Sequence, residues 1–444
     1  MSATFLEKIG LVGVELTGER LRFWGIRSGL SVLDQGLTSG AGFLLNLFLA
    51  RCLTSDGYGA FAVGFTTILF LFGFHTALLL EPMSVMGPAT YSVQIVEYFL
   101  THLKLHTVLL IILSAALFLA AGVAAWTGAQ KELIRALVGS AIALPFLLLL
   151  WLVRRMCYVV HRPSMAVWGS GGYLASILLG LWFLRSKDLL DVFSAFLLMA
   201  AASIPAAVVL LWQLRLIGRK LLCPVSWKQV LVENWRYGRW LVASTVLFAI
   251  TSQIQTYVAA GFLGLGAAGT LRAMQIPSLL MTQIVTAVGL MMLPAMAQDF
   301  GVGLIDRLRK KAELCTLALT GMAVSYALLL AIFAKPLEHI LYGGKFAPVS
   351  WLVPVLGLVP VFTAFATGFS MALRAVQKPH FDLVANAISA PIGLITAMVF
   401  VRAWGVGGAA LSMVAGFAAY ALVFFFTFRR WTTQITIAQS AASC

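Results

Sequence analysis

Arg272 is the ionisable residue whose sequence surroundings most clearly indicate a chemical role. It stands between two long uncharged stretches, residues 240–271 and 273–298. A charge within an apolar helix is costly and usually faces a bundle interior or a water-filled cavity. Arg272 lies about six residues from the outer end of its predicted helix, which is roughly 9 Å deep. Its guanidinium is expected either to hold phosphate or sugar hydroxyls in a cavity or to extend to the outer headgroups.

Two acidic residues lie at a similar depth from the inner side. Asp34 is within the first predicted span, and Glu81 closes the second. Two acids at one level on adjacent helices predict a cation or proton site, or an inner gate in which they pair with Arg374 of the tenth span. The alternative is that both acids are interfacial and are neutralised by Arg27 or Lys104.

Neutral polar residues give weaker signals. Gln253 and Gln255 interrupt the seventh span, where they are expected to bind carbohydrate hydroxyls or to form interhelical hydrogen bonds. His75, in the inner half of the second span, is expected to relay protons or to pack as a neutral ring. His102 and His106 are spaced i, i+4 without the intervening glutamate of a zinc-protease motif, so a hydrated helix end is expected.

No motif predicts a cofactor, a metal site or catalysis. The five cysteines include no C-x-x-C pair, which argues against a zinc site or a disulfide framework. There is no G-x-x-x-x-G-K-S/T segment for ATP, and the G-x-G-x-x-G pattern at 264–269 follows an apolar helix rather than a strand. We expect no cofactor and no enzymatic activity.

The composition indicates which elements position these residues. Of the 444 residues, 61% are apolar and 11% are charged, and the mean hydropathy is +0.96. A soluble globule carries about a quarter charged residues, so this chain is predicted to be an integral membrane protein. The net charge of +15 is attributed to Lys and Arg that retain inner loops, not to nucleic-acid binding. The charged first 27 residues do not resemble a signal peptide.

The apolar stretches predict an all-α protein with twelve transmembrane helices. Most Lys and Arg then fall on the side that holds both termini, which places the termini in the cytoplasm. The predicted spans are 28–50, 59–81, 105–126, 134–153, 165–184, 190–214, 239–261, 266–296, 312–334, 350–373, 382–401 and 406–428. The predicted domains are an N-terminal segment (1–27), a six-helix bundle (28–214), a linker (215–238), a second six-helix bundle (239–430) and a tail (431–444).

The two halves resemble each other weakly. When the sequences of the first turn of each half are aligned, Ala50 matches Ala260, Leu53 matches Leu263 and Gly59 matches Gly269. Six helices return the chain to the same side, so the halves are expected to be parallel repeats about a pseudo-two-fold axis along the membrane normal. Such an arrangement encloses a central cavity.

Three segments carry a family resemblance. LDQG at 33–36, LARCLTSDGYGAFA at 49–62 and LLEP at 79–82 resemble the start of bacterial polysaccharide and O-antigen exporters. These exporters belong to the multidrug/oligosaccharidyl-lipid/polysaccharide flippase superfamily. The resemblance implies an inner-membrane protein that flips an undecaprenyl-diphosphate-linked oligosaccharide by alternating access, with H⁺ or Na⁺ as driving ion and with polymerase and export machinery as partners. Arg51, in the matched turn, would assist Arg272.

Other functions remain open on the sequence. A multidrug exporter of the same superfamily would use Asp34 and Glu81 to line a cation-binding pocket. A membrane glycan polymerase or ligase would need a large outer loop, whereas the longest predicted outer connection is the short segment 335–349. A membrane scaffold without transport activity would need no cavity.

Overall fold

The computed structural model describes residues 18–218, 225–376 and 380–442, with side chains from residue 29 to residue 434 apart from 89, 290, 291, 294 and 295. Most of the predicted N-terminal segment, the side chain of Arg27, part of the predicted linker and the end of the tail lie outside the described residues. Within the described ranges the chain is all α, without strands. The helices are α1 Gly18–Cys52, α2 Ser55–His75, α3 Glu81–Ala89, α4 Ile95–Trp126, α5 Lys131–Val159, α6 Pro163–Ser186, α7 Val192–Gln213, α8 Trp227–Leu263, α9 Leu265–Gly301, α10 Ile305–Ile332, α11 Ala334–Tyr342, α12 Leu352–Ala375 and α13 His380–Ala442.

Nine helices of the described residues are long and apolar enough to cross a membrane. This confirms the prediction of an all-α protein with many membrane-spanning helices. α13 contains a kink at Trp404 and Gly405, where the backbone leaves helical geometry, between the last two predicted spans. The arrangement of twelve crossings in two bundles stays a prediction.

We name the two ends of the protein after the predicted orientation: the outer end carries the turn between α1 and α2, and the inner end carries Glu81. At the outer end, Thr54 caps α2, because its side-chain oxygen accepts a hydrogen bond from the backbone N–H of Gly57 at 3.1 Å.

α2 does not end cleanly at the inner side. It passes at Thr76–Leu80 into one turn of π-helix, where the N–H of Glu81 bonds to the carbonyl of Thr76. Pro82 follows and cannot donate the backbone bond that a regular α-helix would require there. The wider turn and the proline therefore separate α2 from the short continuation α3.

α2 packs along α8 and α9 through glycines. A side chain on Gly59 would put its Cβ 1.7 Å from the carbonyl oxygen of Leu265, at the start of α9. Nearer the inner end, a Cβ on Gly238 of α8 would lie 2.4 Å from the carbonyl oxygen of Ala77 in the π-turn. α2 belongs to the N-terminal half and α8 and α9 to the C-terminal half, so these contacts join the two halves.

Candidate functional site

The outer end is closed by a lysine that caps α1. Lys345, in the connection between α11 and α12, donates hydrogen bonds from Nζ to the carbonyl oxygens of Ala50, at 2.8 Å, and Leu53. A cation at a helix C-terminus is favourable, because the last carbonyls of a helix are otherwise unpaired. Glu338 holds the same connection by accepting the N–H of Phe346 at 2.8 Å. Burial lowers the pKa of Lys345.

Arg272 lies between the halves close to this closed end. Its Nη1 donates to Oε1 of Gln275 at 3.2 Å, and its guanidinium carbon is 5.6 Å from the ring centre of Phe65 on α2. Its Nε is buried without a hydrogen-bond partner. No carboxylate of the described residues lies within salt-bridge distance of it. Arg272 is therefore a cation without a counter-ion at the junction of the two halves.

Arg51 is exposed at the end of α1, and the structure shows no contact between it and Arg272. A side chain on Gly343, in the connection that Lys345 anchors, would put its Cβ 4.0 Å from Nη2 of Arg51. Its predicted role in assisting Arg272 stays a prediction.

Asp34 is the most completely bonded acid at the inner end. It is fully buried and accepts hydrogen bonds from Nη2 of Arg154 at 2.6 Å, from Nε of Arg154 at 3.3 Å and from the hydroxyls of Tyr158 and Ser170. Thr38 extends the network by donating to Oγ of Ser170 at 3.0 Å. Buried charges are tolerated only when they are paired and hydrogen-bonded, and this carboxylate is both. The network fastens α1 to α5 and α6.

The expected pairing of the inner acids with Arg374 is wrong. Glu81 lies 3.6 Å from Arg155, the residue after the arginine that binds Asp34. Arg374 instead bonds Asp382, which joins α12 to α13 within the C-terminal half.

Arg154 was missed in the sequence, although a buried acid at the inner level requires a cation at the same level. Its position near the inner end of the fourth predicted span was the available signal.

The two glutamines of α8 face different surroundings. Gln253 lines a cavity of about 210 Å³ together with Phe70 and Tyr257, and its Oε1 is buried without a partner. Gln255 is fully buried, donates to the carbonyl of Thr251 at 3.2 Å and lies against Gly393. Oε1 of Gln255 is also buried without a partner.

His75 is fully buried at the end of α2, where its Nε2 lies 2.9 Å from Nδ1 of His106. His102, one turn from His106 on α4, is also buried. The expectation of a hydrated helix end for His102 and His106 is wrong, because α2 and α8 cover this face of α4.

Comparison with solved structures identifies the fold. An inward-facing multidrug resistance transporter of the MATE family, in the MOP superfamily, matches with a TM-score of 0.73 at 13% identity, over 98% of this chain and 99% of that one. The chain has the fold of MOP-superfamily transporters. The lipid II flippase MurJ, in an inward closed conformation, matches with a TM-score of 0.71 at 15% identity, over 90% of this chain and 87% of MurJ.

A third transporter of this fold is described as having a binding pocket of reverse polarity. This MOP-superfamily protein from Pyrococcus furiosus matches with a TM-score of 0.58 at 16% identity, over 93% of this chain and 96% of that one. No family model matches the sequence, and no curated protein matches it. The likeness therefore establishes the fold and leaves the substrate to be argued from the residues.

Proposed function

We propose that this chain is a multi-pass transporter, not an enzyme, that flips an undecaprenyl-diphosphate-linked oligosaccharide across the bacterial inner membrane for surface or exopolysaccharide biosynthesis. Twelve helices in two bundles, with both termini in the cytoplasm, would expose a central site alternately to the two sides. A gradient of H⁺ or Na⁺ would drive the cycle, and a polymerase and export machinery would receive the product.

The distribution of unpaired charge between the halves supports an anionic substrate. Among the described residues, Asp34, Glu81 and Asp382 each contact an arginine, whereas Arg272 contacts no carboxylate. A diphosphate needs donors such as guanidinium, which binds phosphate oxygens through charge-assisted hydrogen bonds. The uncompensated cation at Arg272 is the observation that carries the proposal.

The glutamines take separate places in this proposal. The unpartnered amide oxygen of Gln253 borders a cavity and is available to sugar hydroxyls. Gln255 is bonded within α8 and packed against α13, so we assign it to helix packing.

The test is a flipping assay in proteoliposomes that contain a fluorescent undecaprenyl-diphosphate oligosaccharide. Arg272→Ala is expected to abolish flipping while the protein stays inserted, and Arg272→Lys is expected to retain part of the activity. Arg402→Ala is a matched control, because Arg402 also stands over a phenylalanine ring, at 4.5 Å, but on the exposed surface of α13. Normal flipping by Arg272→Ala would contradict the proposal.

A multidrug exporter is the second candidate, and the MATE-family match supports it equally. The aromatic lining beside Gln253, from Phe70 and Tyr257, suits a flat apolar drug. Ethidium efflux by the same vesicles without any glycan flipping would favour this candidate.

Two other classes are separated by simpler measurements. A glycan polymerase or ligase would lengthen the oligosaccharide in the vesicles. A scaffold would leave single cysteines at positions 272 and 34 inaccessible to labelling reagents from both sides.

A further inference from the structure

Three of the six histidines of the chain lie together, buried where α2, α4 and α8 meet near the inner end. His75 is the last residue of α2, and His102 and His106 lie one turn apart on α4. Their exposed fractions are 0% for His75, 0% for His102 and 5% for His106. The described residues contain no group of three or more His, Cys, Asp or Glu side chains that could hold a metal ion. The cluster therefore needs another explanation.

His75 and His106 share a hydrogen bond that depends on their protonation. Nε2 of His75 lies 2.9 Å from Nδ1 of His106, so one nitrogen donates its proton and the other accepts. Adding a proton to the accepting nitrogen would turn two N–H groups toward each other and break this contact. Nδ1 of His75 is buried and has no partner in the described structure. The pair therefore has a free ring nitrogen, Nδ1 of His75, and a contact that a proton on the accepting nitrogen would break.

His102 forms a hydrogen bond with the other half of the protein. Its Nδ1 lies 3.1 Å from the carbonyl oxygen of Tyr98 and must donate, because a carbonyl only accepts. Its Nε2 then accepts from the amide nitrogen of Asn234 on α8, at 3.2 Å. In the protonated ring Nε2 would donate, and it would need the amide oxygen of Asn234, which is buried without a partner. Rotation of this one amide changes which state of His102 is stabilised.

The groups that face the cluster do not neutralise it. From α4 it is faced by Tyr98, whose hydroxyl is buried without a partner. On α8, Glu233 is engaged by the hydroxyl of Tyr91, at 2.8 Å. At the start of α3, Glu81 is engaged by Arg155 of α5. An imidazolium here would therefore have no adjacent carboxylate, and its charge would act on the surrounding contacts.

Two features connect the cluster with its surroundings. The ring of Tyr91 stacks on that of Tyr98, and the ring of Tyr98 meets His102 edge to face. The ring centres are 4.3 Å apart in both pairs, which lead from the turn between α3 and α4 to the histidines. Burial and the hydrogen bond to Glu233 raise the pKa of Tyr91 to about 12, so it stays a donor at neutral pH. His106 also lines a cavity of about 410 Å³ between α4, α5 and α7, where α7 contributes only the apolar Leu211.

The cluster lies where α2 changes its helical geometry. The π-turn begins at Thr76, directly after His75, and the carbonyl of Ala77 in this turn packs against Gly238 of α8. Single π-turns inside α-helices are frequent at functional sites. A change in the histidine contacts would therefore act on the segment by which the N-terminal half packs against α8.

We propose that His75, His102 and His106 form the proton-binding site of this transporter, and that protonation rearranges the hydrogen bonds by which α4 meets α2 and α8. The step is the addition of H⁺ to a free imidazole nitrogen, which gives an imidazolium and breaks no covalent bond. The inference rests on the proposed transport function and specifies H⁺ as its driving ion. It separates proton binding from Asp34, whose oxygens are already occupied by Arg154, Tyr158 and Ser170.

The test measures the distance between α4 and α8 as a function of pH, without substrate. Nitroxide labels at Val108 and Val232, both exposed, would be followed by pulsed electron resonance in nanodiscs. The pH range runs from about 8 to about 4, below the ordinary histidine pKa of about 6.5, because burial disfavours a charged ring. Across this range the distance distribution is expected to change. His75→Gln, His102→Gln and His106→Gln are expected to lose this response, and His380→Gln, at an exposed histidine, is expected to keep it.

Asn234→Asp provides a variant that does not remove a histidine. A carboxylate beside His102 would stabilise the imidazolium, so the midpoint of the transition is expected to move to higher pH. A distance that does not change with pH in the wild type, or an unchanged midpoint in Asn234→Asp, would overturn the inference.

The two proposals fail in different ways. Flipping without a pH-dependent distance would refute the histidine site alone. A pH-dependent distance without flipping of the lipid-linked oligosaccharide would refute the proposed substrate alone.

Discussion

Replacing Asp34 by alanine should destabilise the protein strongly, because the substitution leaves a buried guanidinium without its partner. The side chain of Asp34 is 0% exposed and that of Arg154 is 10% exposed. Asp34→Ala removes both hydrogen bonds from Arg154 and those from Tyr158 and Ser170. Breaking a buried ion pair from one side costs about 3–5 kcal/mol, and we expect a loss of unfolding free energy in this range.

The neighbouring ion pair provides the control. The side chains of Glu81 and Arg155 are 40% and 38% exposed, and their closest atoms are 3.6 Å apart. Solvent screens such a pair, so Glu81→Gln should cost less than about 1 kcal/mol. We therefore expect Asp34→Ala to lower the free energy of unfolding several-fold more than Glu81→Gln, although the two acids contact adjacent arginines.

The assay is denaturant unfolding of the detergent-solubilised protein, followed by tryptophan fluorescence. The double variant Asp34→Leu with Arg154→Met should recover most of the stability, because replacing both partners with apolar groups removes the uncompensated charge. Equal losses of unfolding free energy in Asp34→Ala and Glu81→Gln would refute this reasoning. A double variant no more stable than Asp34→Ala would refute it as well.

Two predictions concern the outer end. Gly59→Val should shift the protein toward an outward-open state, since its Cβ would overlap the carbonyl oxygen of Leu265. Labelling of a single cysteine at position 65 from outside should therefore rise. Gly261→Val, whose Cβ would meet no atom within 4 Å, should behave like the wild type. Equal labelling of both variants would show that this contact does not close the outer end. Lys345→Met should raise the same labelling by several fold, because it keeps the apolar stem but removes the hydrogen bonds to Ala50 and Leu53. Unchanged labelling in this variant would show that helix packing, not Lys345, closes the outer end.

The all-α fold with many membrane-spanning helices was predictable from the sequence, because hydropathy depends on local composition. The limits of the helices were less predictable, since helices extend beyond the apolar core of a bilayer. α8 begins at Trp227, well before the predicted span at 239, and α2 continues through the π-turn into α3. Neither extension has a hydropathy signal.

The partners of the polar residues depend on tertiary packing and were harder to predict. Several arginines lie at the inner level, and only the tertiary structure shows that Arg154 of α5 reaches Asp34 beside Ser170 of α6. The spacing of His102 and His106 indicates a shared face of α4. Only the packing of α2 and α8 shows that this face is buried.

α2 is the element on which both ends of the protein depend. Gly59 meets α9 at the outer end, Thr67 shares a hydrogen bond of 2.9 Å with Tyr257 of α8 further along, and the π-turn meets Gly238 at the inner end. A straight, rigid helix would transmit a separation at one end as a tilt at the other. The π-turn and Pro82 instead provide a position where the inner segment can adjust while the rest of α2 keeps its contacts. Because His75 is the last residue before that position, protonation and helix geometry are linked at one point of the chain.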